Sequence, residues 1–403
     1  MSDKVSKYIE GVGWRYDVVH SMLRRAGGHD YKSRCIYMLT LTVEGREPLL
    51  GVLRYDREHI EEAHIEPTAL GREVIHCWAE IPQHYPGVSL LAFQLMPDHI
   101  HGLLFVTSEQ EAHLGHMVKG FKIGCTHAYW GLQDAAAAGA AGVSSAAFGA
   151  SPHSAAGVSS AASVPSVGQV SSAGPVSSAG PVSSAVQVSS ASNYNSTNSN
   201  RAPAKRRGLF SPGYQDSILK GKDQLDRMFN YIADNPRRLA VKREHPDLFR
   251  VVSQLTINGQ TFAAIGNRWL LDRPVRMQVR CHNNSQPENL RLIERQKAYF
   301  LSRAREGAVI VSPCISAGEK EIAHAALDTG MPLVVVLENG FPPMYKPPGK
   351  YFEACANGLL LMLAPWPYHM EQRTITRAQC LALNDIAYAI CTEPWTREQE
   401  LRV

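Results

Sequence analysis

From about Asp134 to Ser199 the sequence collapses to Ala, Ser, Gly and Val, and "GPVSSA" recurs with a six-residue period at Gly174–Ala179 and Gly180–Ala185. A stretch with so few large side chains cannot bury enough surface to offset the conformational entropy lost on ordering. Short repeats also build parallel β-helices, but those stack regularly placed bulky residues, and none are placed so here. The segment is expected to be a disordered insertion or linker. Whatever folds must be assembled from the chain on either side of it. Closing such a loop costs little extra, because the cost grows only with the logarithm of length.

At 403 residues the chain can hold two or more domains. Its 44% hydrophobic and 19% charged content is that of an ordinary soluble protein. No apolar run reaches membrane length, and the polar opening "MSDKVSKYIEG" does not read as a signal peptide. The eight cysteines form no CxxC pair, which argues against a zinc ribbon or disulfide framework and for a reducing, cytoplasmic setting. The net charge of +4 is unevenly spread: residues 201–250 carry twelve Lys and Arg against six Asp and Glu, a local excess of six. A surface that meets phosphates would look like this, and so would a solvated helix face.

Before the insertion, "RCIYMLTLTV" alternates and reads as a strand, "GREVIHCWAEIPQHYP" has helical spacing, and "SLLAFQLMP" with "HIHGLLFVT" reads as a strand pair turning at Met96-Pro97-Asp98. "AHLGHMVKGFKIGCTHAYWGL" has a 3.6-residue period, with Lys119 and Lys122 on its polar side. This β-α-β-β-α order suits a small antiparallel sheet packed by helices. After the insertion, "KDQLDRMFNYIADNP" reads as a helix stopped near Asn235-Pro236. From about Val251, "GAVIVSP", "SAGEKEIAHAALDTG", "MPLVVVLENG", "GKYFEACANG", "LLLMLAPW" and "RAQCLALNDIAYAICTE" alternate strand and helix, as in an α/β parallel sheet.

Inside the apolar run "LAFQLMPDHIHGLLFV", His99 and His101 sit two residues apart. On a strand they project from one face and can converge on a single ion. The spacing alone more often marks two packing histidines, but buried imidazoles are costly unless partnered, so the apolar context strengthens the metal reading. Tyr231, in "FNYIADNPRRL", is a candidate nucleophile toward a phosphodiester polarised by a divalent cation; its other reading is a ring packed beside Leu225, Met228 and Ile232. Asn235 follows one turn later, so its carboxamide could face the same site, although Pro236 makes that alignment approximate.

"MPDHIHGLL" and "GYQDSILKGKDQLDRMFNYIADNPRRLAV" together closely resemble the single-tyrosine HUH transposases, in particular the REP-associated tyrosine transposases of the insertion-sequence-200-like superfamily. The likeness covers about residues 30–133 and 203–250. It implies an α+β ferredoxin-like domain with the histidine motif on its central strand and the tyrosine on a later helix. It further implies that His99 and His101 hold Mg2+ or Mn2+, with Asn235 as a third, amide ligand. Tyr231 would attack a scissile phosphate in single-stranded DNA, leaving a 5′-phosphotyrosine and a free 3′-hydroxyl. Arg206, Arg207, Arg237, Arg238, Lys242 and Arg243 would be phosphate contacts, with Lys119 and Lys122 possible additions. Phe210 and Tyr214 could stack on unpaired bases.

"VSPCISAGEKEIAHAALDTGMPLVVVLENG", with the segments that follow it to about residue 395, is similar to the Rossmann-like domain of the DNA-processing protein A group. There a strand leads into a small-residue turn at a helix N-terminus, suited to anions. Ser316, Ala317 and Gly318 would form that turn, but Glu319 and Glu321 set negative charge where a phosphate would lie.

The expected organisation is an HUH domain in two parts, 1–133 and 203–250, interrupted by the insertion at 134–202 and followed by a Rossmann-like α/β domain at 251–403. The leading expectation is a cytoplasmic metal-dependent tyrosine transposase acting on single-stranded hairpin repeats, as a monomer or homodimer and without a membrane. The alternative is a non-catalytic single-stranded DNA-binding or recombination-mediator protein. A replication-initiator or relaxase-type nickase shares the histidine motif, but the "YIADNP" context fits the transposases better.

Overall fold

The computed structural model describes residues 6–9, 13–16, 28–144, 206–281, 287–342, 344–371 and 373–396. The chain divides into two compact units, Met1–Leu132 with Gly208–Val403, and Gln133–Arg207. The first opens with a short antiparallel ribbon of β1 (Ser6–Ile9) and β2 (Gly13–Tyr16). Strand β3 (Cys35–Thr42) follows, then a second ribbon of β4 (Gly51–Arg54) and β5 (His64–Pro67).

Thr68 caps the next helix, α1 (Ala69–Ala79), by accepting the Gly71 amide at 3.0 Å. Leu70, Val74 and Trp78 recur every four residues, so one stripe of α1 is buried. The single turn α2 (Ile81–His84) leads into β6 (Val88–Leu95), which pairs with β7 (His99–Val106) across the expected Met96-Pro97-Asp98 turn.

Helix α3 (Leu114–Ser144) outruns its expected end and continues past Asp134 into the alanine-rich start of the insertion. Alanine has the highest helix propensity, so the run "AAAAGAA" extends a helix already nucleated upstream. The expectation of disorder for the rest of the insertion concerns residues 145–205, which lie outside the described residues.

Strand β8 (Gln215–Leu219) brings the chain back beside β3. The four-stranded sheet is therefore ordered β6-β7-β3-β8, antiparallel throughout. One face carries Tyr37, Leu39, Leu41, Ile100 and Leu104 into the main core with α1 and α3. The opposite face carries Ile36, Met38 and Leu103 into a smaller cluster with Ile232, Leu225, Met228 and Tyr231. Those last four belong to α4 (Lys222–Glu244), so α4 covers the face of β7 from which His99 and His101 project.

Helix α4 corrects one expectation: it runs through Asn235-Pro236 instead of stopping there. Proline removes the amide that would bond the Ile232 carbonyl, but Leu239, Ala240 and Val241 beyond it are buried. Packing of the second half outweighs the proline's cost. Asn235 consequently keeps true helical register with Tyr231.

The remainder of this unit builds a six-stranded sheet. Strands β9 (Val252–Ile257) and β10 (Gln260–Gly266) form a hairpin whose Asn258-Gly259 turn has both φ angles positive, at 50° and 79°. That is the geometry Asn-Gly favours between antiparallel strands. Then come β11 (Arg276–Gln278), α5 (Pro287–Arg305), β12 (Val309–Ser312), α6 (Ala317–Asp328), β13 (Leu333–Val336), α7 (Gly349–Ala356), β14 (Leu360–Ala364) and α8 (Arg377–Ile390). The order is β11-β12-β13-β14-β10-β9; the first four strands run parallel, and the hairpin adds an antiparallel edge beside β14. Every residue of β12, β13 and β14 is buried, because α5, α6 and α7 cover one face and α8 the other. Among the described residues no helix is long and apolar enough to cross a membrane.

Candidate active site

Antiparallel register sets Thr40 directly opposite His101 and Thr42 opposite His99. The cross-strand pair becomes a hydrogen bond: Thr40 Oγ1 lies 2.8 Å from His101 Nδ1. His99 Nδ1 lies 2.6 Å from Asp98 Oδ1. Asp98 is almost fully buried and also faces the Arg46 guanidinium at 3.3 Å, so its carboxylate is neutralised and fixed. With both Nδ1 atoms engaged, the two Nε2 atoms turn toward each other and lie 3.2 Å apart.

Burial is the main reason the His101 imidazole is held well below its ordinary pKa, with His99 and Lys346 adding like-charge repulsion and Asp98 opposing them. His101 is therefore neutral at physiological pH and offers a lone pair, not a charge. Two imidazoles at this separation either share one proton between the Nε2 atoms or present two lone pairs to one cation. About 3 Å is the separation of two cis ligands that each bind an ion at about 2.1 Å. A carboxylate or hydroxyl on the far nitrogen is the usual support of a metal-bound imidazole. The donor set fits a divalent cation. Among the described residues no group of three or more His, Cys, Asp and Glu side chains is arranged to hold a metal ion, so a third protein ligand would come from another residue type.

Tyr231 enters from α4, its ring edge-on to His101 with centroids 5.7 Å apart. Burial raises the phenol's pKa, while the Arg238 guanidinium and the Asn235 amide pull it down. Asn235 is buried one turn along the helix; its Nδ2 is held by the Tyr231 carbonyl, so its Oδ1 is the end suited to a cation. The Tyr231 ring thus lies against His101, and Asn235 bonds the Tyr231 backbone carbonyl one turn along, so Tyr231 links the histidine pair to Asn235.

The basic residues part company. Arg237 is drawn into a cluster with Asp234 at 2.5 Å and Glu353 at 2.6 Å, which raises its pKa to well above the normal range. Arg238 lies 3.6 Å over the Phe352 ring and donates to the Pro347 carbonyl at 3.3 Å. Both arginines tie α4 to the second sheet. Lys122 donates to the Ser211 and Gly213 carbonyls at 2.5 and 3.1 Å, pinning the loop that leads into β8. Arg206 forms a two-bonded pair with Asp134 at 2.8 and 3.0 Å. Arg207 is exposed, and Lys242 and Arg243 are half-buried in the last turn of α4. Lys119 is exposed along a groove of about 470 Å³ that is also lined by Ile123, His127, Trp130 and Tyr214. Phe210, by contrast, is buried in the main core and packs near Phe121.

In the second sheet, Ser316 caps α6, and Glu319 reaches back to accept the Ile315 and Ser316 amides at 2.8 and 3.1 Å. The donors that an anion would need are already engaged by a carboxylate. Glu321 pairs with Lys297 at 3.1 Å.

Sequence reasoning missed Thr40 and Arg46, whose roles depend on strand register. It quoted Asp98 only as part of a turn, although a carboxylate adjacent to a histidine ligand candidate was the available signal.

No family model matches the chain. An uncharacterized protein of Haemophilus influenzae is 28% identical over 104 residues, covering 26% of this chain and 51% of its own length, so the chain spans about half of that relative. Among solved structures, DNA processing protein A from Helicobacter pylori, a single-stranded DNA binder, overlaps 35% of this chain and 61% of its own, at 16% identity and a TM-score of 0.26. A REP-associated tyrosine transposase bound to a REP hairpin overlaps 54% of this chain and 72% of its own, at 12% identity and a TM-score of 0.25. Identities and TM-scores this low leave the function to the chemistry of the site.

Proposed function

We propose that the chain is a single-stranded DNA nuclease and strand transferase that works through Tyr231. The observation that carries this reading is the convergence of the His99 and His101 Nε2 atoms, 3.2 Å apart, beside the ring of Tyr231. A module that only binds DNA has no need of two externally braced imidazoles facing a buried phenol. The strand order β6-β7-β3-β8 supports a ferredoxin-like reading of the first sheet, and the parallel run β11-β12-β13-β14 supports a Rossmann-like reading of the second.

His99, His101 and Asn235 would hold Mg2+ or Mn2+, which when bound would neutralise charge on the phosphate oxygens. Asp98 and Thr40 keep the imidazoles aimed. Asn235 and Arg238 favour the ionised phenol against its burial. Tyr231 oxygen bonds to phosphorus, the bond from phosphorus to the 3′-oxygen breaks, and that oxygen takes up a proton as the phenol gives one up. A 5′-phosphotyrosine and a free 3′-hydroxyl result, and reversal with another 3′-end rejoins the strand. Hairpin-forming DNA is the proposed substrate on the strength of the sequence resemblance.

The test is incubation of the full chain with labelled single-stranded hairpin DNA and Mn2+ or Mg2+, followed by a denaturing gel. A covalent adduct that disappears with Tyr231→Phe is expected. Binding without any adduct would replace this reading with the non-catalytic one, and an adduct that survives Tyr231→Phe would move the nucleophile elsewhere.

A further inference from the structure

The pairing of the first sheet places four polar side chains in one row across it. Gln94 on β6 lies opposite His101 on β7, His101 opposite Thr40 on β3, and Thr40 opposite Gln215 on β8. Directly opposed residues of antiparallel strands share a face, and the Thr40–His101 hydrogen bond at 2.8 Å fixes which face it is. The alternation along β8 agrees: Leu219, four residues beyond Gln215, packs with Leu103 and Ile232 in the cluster beneath α4.

The same face changes character within one step of that alternation. The neighbouring row, Ala92, Leu103, Met38 and Ser217, has three apolar members, all packed in the cluster beneath α4. The row through His101 has none. Its β6 end is closed, because Gln94 is half-buried and donates to the Leu95 carbonyl at 2.7 Å. Its β8 end is open, because Gln215 is exposed. Neighbouring strands lie about 4.8 Å apart, so the Gln215 backbone is about 10 Å from that of His101. A DNA strand whose phosphate sits between the histidine pair and Tyr231 therefore brings its next nucleotide within reach of Gln215.

Gln94, Thr40 and Gln215 are uncharged, so this row is not built to hold phosphates. A carboxamide offers one donor and one acceptor side by side, the pattern that pairs with N6 and N7 of adenine, and an unpaired base leaves that edge open. We propose that Gln215 is a base-reading residue of the Tyr231 site, selecting adenine in single-stranded DNA at a nucleotide next to the scissile phosphate. This rests on the proposed function for the identity of the substrate. Thr40 braces His101 on one side and lies against Gln215 on the other, so the sheet itself sets the spacing between the base that is read and the phosphate that is cut.

The test uses the full chain with Mn2+, a labelled hairpin with a randomised single-stranded flank, and the variants Gln215→Ala, Gln215→Glu and Ser217→Ala. Covalent adducts and non-covalently bound strands are recovered separately and sequenced. The wild type should enrich adenine about tenfold at one position beside the cleavage point. Gln215→Ala should flatten that position alone. Gln215→Glu should shift it toward cytosine, whose amino group a carboxylate accepts. Ser217→Ala, an exposed change on the same strand and face, should match the wild type. A wild type without that adenine preference, or a Gln215→Ala variant that keeps it, overturns the assignment and leaves the nuclease reading standing. Should no adduct form while bound strands show an adenine preference that Gln215→Ala loses, the nuclease reading fails and the base contact stands. A wild type that binds no DNA overturns both.

Discussion

His99 and His101 present their Nε2 atoms to each other at 3.2 Å, and each ring is held from behind by a different residue. Asp98 holds one at 2.6 Å and Thr40 the other at 2.8 Å. This arrangement separates the residues that would touch a cation from those that only aim them. His99→Ala or His101→Ala should abolish Mn2+ binding measured by electron paramagnetic resonance. Asp98→Asn, which keeps the shape but weakens the brace, should lower Mn2+ affinity by roughly 10–100-fold. Equal affinity in all three would remove the metal site.

The buried Tyr231 phenol is held above its ordinary pKa, so at neutral pH little of it is ionised. If Tyr231 is the nucleophile, adduct formation at saturating DNA should rise with pH, by about tenfold per unit at most, until the phenol ionises. Arg238→Gln removes the charge that pulls that pKa down and should move the rise to higher pH. Single-turnover rates between pH 6 and 9 measure both, and a flat profile would contradict the assignment.

Arg238 and Phe352 join the two sheets at 3.6 Å, with the guanidinium over the ring. A cation–π contact that is partly shielded from water contributes about 1 kcal/mol. A double-mutant cycle of Arg238→Ala and Phe352→Ala in urea unfolding should give a coupling of that size. Additive effects would show that the contact carries no energy.

Glu319 should make stability fall as pH rises. Burial raises its carboxyl pKa above the ordinary range, even though the Ile315 and Ser316 amides oppose the shift. The folded state then binds the proton more tightly than the unfolded chain. Its contribution is complete below the unfolded value of about 4.3 and is lost as pH climbs through the folded one. Glu319→Gln keeps an acceptor for both amides and should flatten that decline in thermal melts. In the wild type, ATP or inorganic phosphate should leave the melting temperature unchanged, because the carboxylate occupies the donors.

Gly102 lies between His101 and Leu103, on the reverse face of β7, where a Cβ would sit 2.4 Å from the Trp78 ring. Gly102→Ala should cost about 1–3 kcal/mol by overpacking and lower the melting temperature by roughly 2–8 °C. The same substitution combined with Trp78→Leu should recover much of the loss.

Local pattern was enough for much of this molecule. The alternation of "CIYMLTLT", the four-residue spacing of Leu70, Val74 and Trp78, and the short apolar runs of β12, β13 and β14 are readable because burial imposes a pattern on each element. The same logic placed His99 and His101 on one face, since a strand's period is two whatever it pairs with. Pro236 shows the limit of local rules: in isolation it reads as a stop, and only the burial of Leu239 and Val241 shows why the helix goes on. Hairpin β9–β10 carries its signal locally too, in the Asn258-Gly259 turn. Tertiary structure alone decided the rest. Thr40 becomes a partner of His101 only through the register of β3 on β7, Arg46 reaches Asp98 only through the turn after β3, and Arg237 and Arg238 leave the pool of basic surface residues once the second sheet supplies Glu353 and Phe352. A sequence fixes which faces are apolar and where chemistry-bearing side chains recur. Which of them meet is set by pairing and packing between segments far apart in the chain.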